Sequence, residues 1–93
     1  MGKKGSGQSS AAPRTLPTLD LHGATTDDVF ALLDRFLLRE EARGTACVRV
    51  VHGKGTGKVK DKAVEYCRLT GHQPKPDRAP GGAVNPGSFL LFL

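Results

Sequence analysis

Two short stretches hold the residue types that could move a proton or grip a phosphate. In Leu19-Asp20-Leu21-His22-Gly23, an acid and an imidazole stand two positions apart. A carboxylate so placed can orient the ring and support its charged form, and an imidazole with a pKa near ~6.5 gives or takes a proton at cellular pH. The same spacing also describes a solvent-facing pair with no chemical duty. Further on, His52-Gly53-Lys54-Gly55-Thr56-Gly57 is followed by Lys58 and Lys60. A glycine-rich turn entering a helix N-terminus offers backbone N–H groups and lysines to a phosphate, although a tight turn needing positive φ is written with the same residues.

Several chemistries drop out on spacing. Aligned on Gly57-Lys58, the first glycine of a Walker A motif would fall at His52, and Val59 stands where Ser or Thr would hold Mg²⁺. Gly53 to Gly57 is not a GxGxxG either, so ATP and dinucleotide binding lose their support. No Ser, His, Asp order or Cys, His pairing suggests acyl transfer. Asp20, His22 and His52 are three scattered candidates for a divalent ion, a weak pattern beside the dense spacing of metal motifs. Cys47 and Cys67 have no CxxC partner and read as free buried thiols.

Charge is distributed unevenly along the 93 residues, whose formal net charge is +5. Residues 1–15 carry Lys3, Lys4 and Arg14 and no acid, whereas residues 16–43 set three arginines against six acids. From Gly44 onward eight Lys and Arg face only Asp61, Glu65 and Asp77. A basic tail and a basic C-terminal half flanking an acidic stretch would draw a polyanion to one side of the molecule, with nucleic acid the obvious candidate. Residues 1–15 lack apolar periodicity and are expected to be a disordered basic tail, leaving 16–93 as the folded domain. Met1-Gly2-Lys3-Lys4-Gly5-Ser6 fits the loose myristoylation pattern but reads more simply as a solvated tail. No apolar run approaches the roughly 20 residues of a membrane span, no secretory h-region is present, and a cytoplasmic protein is expected.

The elements that must hold these residues follow from periodicity. Thr18 to His22 alternates as a short half-buried strand, placing Asp20 and His22 on one face. Thr25 and Asp28 resemble a capping box, and Val29, Leu32, Leu33, Phe36 and Leu37 form one helical stripe running towards Arg43 and Gly44. Ala46 to Val51 is the profile of a second strand, and Lys58 to Thr70 is a second helix stopped by Gly71. Residues 72–88, with four prolines, are expected to be loop with at most a short edge strand, and Phe89 to Leu93 a strand buried on both faces. Strands alternating with helices predict an α/β fold, a two-layer βαβαβ-type sandwich with a mainly parallel sheet and helices packed against it. If the first two strands are parallel neighbours, both histidines lie at strand carboxyl ends and can reach one phosphate.

Leu19-Asp20-Leu21-His22-Gly23 followed by His52-Gly53-Lys54-Gly55 in this βαβ setting resembles the Smr (small MutS-related) domain over residues 19–93, and Gly81-Gly82 with Asn85-Pro86-Gly87 resembles the family's glycine-rich final turn. Gln73 to Pro80 is more proline-rich than the family's usual strand-like stretch. The resemblance implies a two-layer α/β fold similar to the C-terminal domain of a translation initiation factor. It also implies endonuclease activity on DNA or RNA, in repair or on messenger RNA in stalled translation. By position, Asp20 and His22 would be the catalytic pair, with His52, Gly53, Lys54 and Gly55 contacting phosphate. The expectation is a metal-independent or weakly metal-assisted endonuclease, with Mg or Mn as the assisting ion. Asp20 would orient His22, His22 and His52 would transfer protons, and the nucleic-acid contacts would come from Gly53, Lys54, Gly55, Thr56, Gly57, Lys58 and Lys60. RNA, with its 2′-OH in place, is the easier substrate. The partners expected are nucleic acid, with the ribosome as a further candidate, and a monomer. The alternative is a non-catalytic nucleic-acid or ribosome-binding module. A scaffold that meets only proteins is a third reading.

Overall fold

The computed structural model describes residues 16–55 and 57–93, so the expectations for the tail and for Thr56 lie outside the described residues. Six elements follow in the order β1 (Thr18–Asp20), α1 (Thr26–Ala42), β2 (Cys47–Val51), α2 (Lys58–Thr70), β3 (Lys75–Arg78) and β4 (Val84–Phe92). They form a small α/β domain with one four-stranded sheet in the order β1-β2-β4-β3. β1 and β2 are parallel, with Asp20 opposite Val51, whereas β4 runs antiparallel to both β2 and β3.

The mainly parallel sheet expected from the alternation is therefore corrected to a mixed one. Its cause is the length of the last connection. Only five residues, 79–83, join β3 to β4, and a parallel return needs a crossover of a dozen or more. Ala79-Pro80-Gly81-Gly82 closes the turn instead, with the Gly82 N–H on the Ala79 carbonyl at 2.8 Å and Gly82 at φ +94°. The proline-rich segment does make a strand, and it lies at the sheet edge, where Pro76 can sit without breaking an interior ladder.

Alternate residues of the central strands build the core. Val48 and Val50 of β2 and Leu91 of β4 are fully buried, with Phe89 beside them, and they join Val29, Leu33, Phe36 and Leu37 of α1 and Ala63, Tyr66 and Cys67 of α2 in a single cluster. The helices also meet directly: Phe30 packs edge-on to Tyr66 at 5.4 Å, and the Tyr66 hydroxyl donates to Asp34 Oδ1 at 3.0 Å. β4 is longer than expected and is not buried on both faces. Leu90 is half-buried and Phe92 is 60 % exposed, because both face the side of the sheet away from that cluster, as do their partners Arg49 and Cys47. Both cysteines are free, Cys67 fully buried and Cys47 half-buried, and burial pushes the Cys67 thiol up to about 11.

The start of α1 departs from the expected capping box. Thr25 is the N-cap residue, but its hydroxyl donates to the Asp28 carboxylate at 3.0 Å, and among the described residues its oxygen accepts no backbone N–H. Asp27 and Asp28 still place two negative charges at the positive end of the helix dipole.

Candidate active site

Because β1 and β2 are parallel neighbours, the turns that follow them leave the same edge of the sheet. The turn after β1 is anchored by Leu21, which is fully buried and donates its N–H to the Val51 carbonyl at 2.7 Å. With Leu21 held inside, the next side chain, His22, is exposed to solvent. The Asp20 carboxylate fixes this turn by accepting the His22 backbone N–H at 2.9 Å. This is an Asx-type turn, so among the described residues the acid grips the amide of His22 and not its ring.

The turn after β2 is held more deeply. The N–H groups of His52 and Gly53 both reach the Gly87 carbonyl, at 2.8 and 3.0 Å. The His52 side chain is only 7 % exposed and lies against the Phe89 ring at 5.7 Å. Its Nδ1 is 2.8 Å from the Gly53 carbonyl. A carbonyl can only accept, so Nδ1 carries the hydrogen and Nε2 is left with the lone pair. Burial lowers the His52 pKa, the Gly53 hydrogen bond opposes that shift, and the nearby Lys60 charge adds to it. The ring is thus neutral at pH 7 with Nε2 as its basic atom.

The two turns touch. Gly53 has φ +82°, a conformation suited to glycine, and a Cβ built there would lie 3.8 Å from His22 Cδ2. From this contact the chain passes through the exposed Lys54 and Gly55 to Gly57, which caps α2 at φ +87° with no side-chain cap among the described residues. The first turn of α2 therefore directs its N–H groups and the positive end of its dipole at the loop.

A cleft of about 160 Å³ results, with His22 and His52 on its walls, Gly53, Lys54, Gly55 and Gly57 along the loop, and Lys60 reaching over from α2. Seven of the ten residues expected at the site thus line one cavity. Asp20 and Lys58 lie beside it without lining it, and Thr56 lies outside the described residues. Among the described residues no three His, Cys, Asp or Glu side chains come together as a metal-binding group, so Asp20, His22 and His52 do not form the three-ligand set considered from sequence.

The loop's support was missed from sequence. The antiparallel β4 brings Asn85-Pro86-Gly87 to the same edge. Gly87 is buried beneath the loop, where a Cβ would lie 3.6 Å from Lys54 Cγ, and Asn85 Oδ1 accepts the Gly87 N–H at 2.9 Å. A glycine just before an apolar strand was the available signal. A second unexpected feature is a cluster on the sheet face away from the core, where Asp77 accepts from Arg49 Nε at 2.9 Å and from the Ser88 hydroxyl at 2.6 Å.

A small mixed α/β sheet with two histidine- and glycine-bearing turns converging at one edge defines the class. Comparison places it further: the Smr domain profile matches residues 19–90, and the chain belongs to the Smr domain family. It is 32 % identical over 91 residues to Endonuclease MutS2 of Streptococcus thermophilus, which covers 98 % of this chain but 11 % of that protein. With Endonuclease MutS2 of Thermomicrobium roseum the identity is 39 % over 56 residues, covering 60 % of the chain and 7 % of the relative. The chain thus spans about a tenth of the length of these relatives. The crystal structure of the Smr domain of Thermus thermophilus MutS2 superposes with a TM-score of 0.70 at 28 % identity, covering 84 % of this chain and 98 % of that one.

Proposed function

We propose that this chain is a nucleic-acid endonuclease whose cleft holds a backbone phosphate between the β1 and β2 turns. The observation that carries the reading is that His22, His52, Lys54 and Lys60 line a single cleft although His22 lies thirty residues before the stretch that holds the other three. The endonuclease names of the MutS2 relatives support it.

On RNA, His52 Nε2 takes the proton of the 2′-OH, the freed oxygen attacks the adjacent phosphorus, and the 5′-oxygen leaves with a proton from His22. Lys54, Lys60 and the N–H groups of the loop and of the first α2 turn neutralise the charge that builds on the phosphoryl oxygens. Asp20 is a positioning residue, setting the turn that presents His22. Gly53, Gly55 and Gly57 let the backbone approach the phosphate closely. Lys58, Thr56 and the ribosome are further contacts that binding measurements address. Residues 1–15 would add non-specific affinity for the polyanion. No cofactor is required in this scheme, and a divalent ion would assist on DNA, where water must be activated in place of the 2′-OH.

The test is cleavage of matched, labelled RNA and DNA by purified protein, with and without chelator. Wild type should cleave RNA in chelator, and His22→Ala should lose cleavage while still binding. Equal cleavage by wild type and His22→Ala would expose a contaminant, and binding without turnover in wild type would make the chain a binding module.

A further inference from the structure

Beside the cleft lies a second cavity of about 280 Å³, opening between α2 and the β3–β4 hairpin, and the two share His52 and Lys60. Its character is different. Val64 of α2, Pro76 of β3 and Val84 and Pro86 of β4 give it apolar walls, floored by Phe89. Val64 and Val84 are 37 % and 51 % exposed, so these walls are open within this chain. Asn85 adds a polar side chain between Val84 and Pro86. Its Oδ1 is engaged by the Gly87 N–H, which leaves the two hydrogens of its amide to be donated. The exposed Lys60 and Lys75 stand at the rim.

An apolar slot with hydrogen-bond donors on one wall, joined through a shared lysine to a phosphate-sized basic cleft, is complementary to a flat base carried on the sugar next to that phosphate. The volume falls just below the roughly 300–1,000 Å³ of sites for drug-sized ligands, which suits a single base and its sugar. A base paired and stacked in a continuous duplex cannot offer its faces to such walls without first being extruded.

We propose that this cavity is a base subsite, taking one unpaired nucleobase adjacent to the phosphate in the cleft, so that single-stranded or looped nucleic acid is the substrate and continuous duplex is not. The inference rests on the phosphate-binding reading of the cleft and adds to it the part of the substrate that the cleft does not touch. Val64 and Val84 supply the stacking surface, and Asn85 donates to an acceptor on the base edge.

The test uses the full chain and two small probes, adenosine 5′-monophosphate and ribose 5-phosphate, followed by amide chemical-shift changes and by affinity. Both probes should shift Gly53, Gly55 and Lys60, but only the nucleotide should shift Val64, Val84 and Asn85, and it should bind about tenfold more tightly, the effect of stacking one base. The double substitution Val64→Ser with Val84→Ser, at two side chains already open to solvent, should bring the nucleotide's affinity down to that of ribose phosphate and leave the latter unchanged. A single-stranded oligonucleotide should likewise compete better than the same sequence annealed to its complement. If both probes shift the cleft with equal affinity and the cavity stays silent, the base subsite is wrong and the phosphate site stands. If neither probe shifts the cleft, both readings fail together.

Discussion

The cleft and the Arg49–Asp77–Ser88 cluster both gather polar side chains from distant segments, yet the protein satisfies them in opposite ways. In the cluster each group finds its partner inside the fold. Asp77 is 5 % exposed and receives both the Arg49 guanidinium and the Ser88 hydroxyl, so β2, β3 and β4 are tied together on the side of the sheet away from the core cluster. In the cleft His22, Lys54 and Lys60 are exposed, and it is the backbone beneath them that is tied down. Rigid main chain under unsatisfied side chains is the arrangement expected of a binding site, and side chains that satisfy one another are the arrangement expected of a structural brace.

The sharpest way to break that contrast is to truncate one member of each and read both activity and stability. His22→Ala should lower cleavage by about 10²- to 10⁴-fold, the usual worth of a proton-transfer group. Its melting temperature should stay within a degree or two of wild type, because an exposed side chain is removed. A large drop in melting temperature would place His22 in the brace. Asp77→Ala should do the reverse, costing roughly 2–4 kcal/mol in urea unfolding because Arg49 and Ser88 lose their partner, with RNA affinity at the cleft unchanged under conditions where it is folded. Burial alone would raise the Asp77 pKa, but the Arg49 and Ser88 hydrogen bonds and the Arg49 charge outweigh it and hold the carboxyl below the ordinary range. Its contribution to stability is therefore present above the unfolded-state value near ~3.9 and is lost as pH falls through the lower folded value. The gap between wild type and Asp77→Asn should close in that acid window and stay constant from pH 5 to 8.

His52 joins the two regions, since it is buried like Asp77 yet lines the cleft. Its depressed pKa means that the unfolded chain takes up the proton first. Stability supplied by the neutral ring is present above about 6.5 and is lost as pH falls through the folded value. Wild type should thus lose stability between pH 7 and the folded pKa, by less than the Asp77 effect, and His52→Gln should flatten that slope. With His52 as the base, the acid limb of the cleavage profile should fall below pH 6.5, whereas an acid limb above it would move the base elsewhere.

How far the sequence disclosed this arrangement depends on the range of the interaction. Elements set by local periodicity, α1 expected from the Thr25 cap towards Arg43 and α2 expected from Lys58 to Thr70, appear within a residue or two of those bounds. The meeting of His22 with the Gly53 turn was also legible, because it needs only that β1 and β2 be parallel neighbours. The antiparallel β4 was obscured by the run Phe89 to Leu93, whose apolar side chains resemble a strand buried on both faces although Phe92 faces water. The short link from Arg78 to Val84 was the better guide. The Arg49–Asp77–Ser88 cluster was hidden because its members are 28 and 11 residues apart and no local pattern joins them. Asp77 is, however, the sole acid after Glu65, and a lone acid in a basic segment was a sign of a fixed partner. Asp20 was expected to orient the His22 ring, but the turn presents the amide, and not the ring, to its carboxylate.

The smallest effects concern the glycines that let the loop lie over β4, and here two similar substitutions should separate. Gly53 is held at φ +82°, where any other residue is strained, so Gly53→Ala should cost about 1–2 kcal/mol even though the added methyl meets only His22 Cδ2 at 3.8 Å. Gly87 has no such φ, and its Cβ would meet Asn85 Oδ1, Lys54 Cγ and the Gly53 carbonyl carbon at 3.5 to 3.8 Å, which is ordinary contact. Gly87→Ala should therefore change stability by less than about 1 kcal/mol. Its gain of a methyl under Lys54 bears on the loop from below, so urea unfolding and RNA affinity should be measured on both variants. Equal losses of stability would mean that close packing under the loop, and not the left-handed turn at Gly53, sets the height at which Lys54 is held.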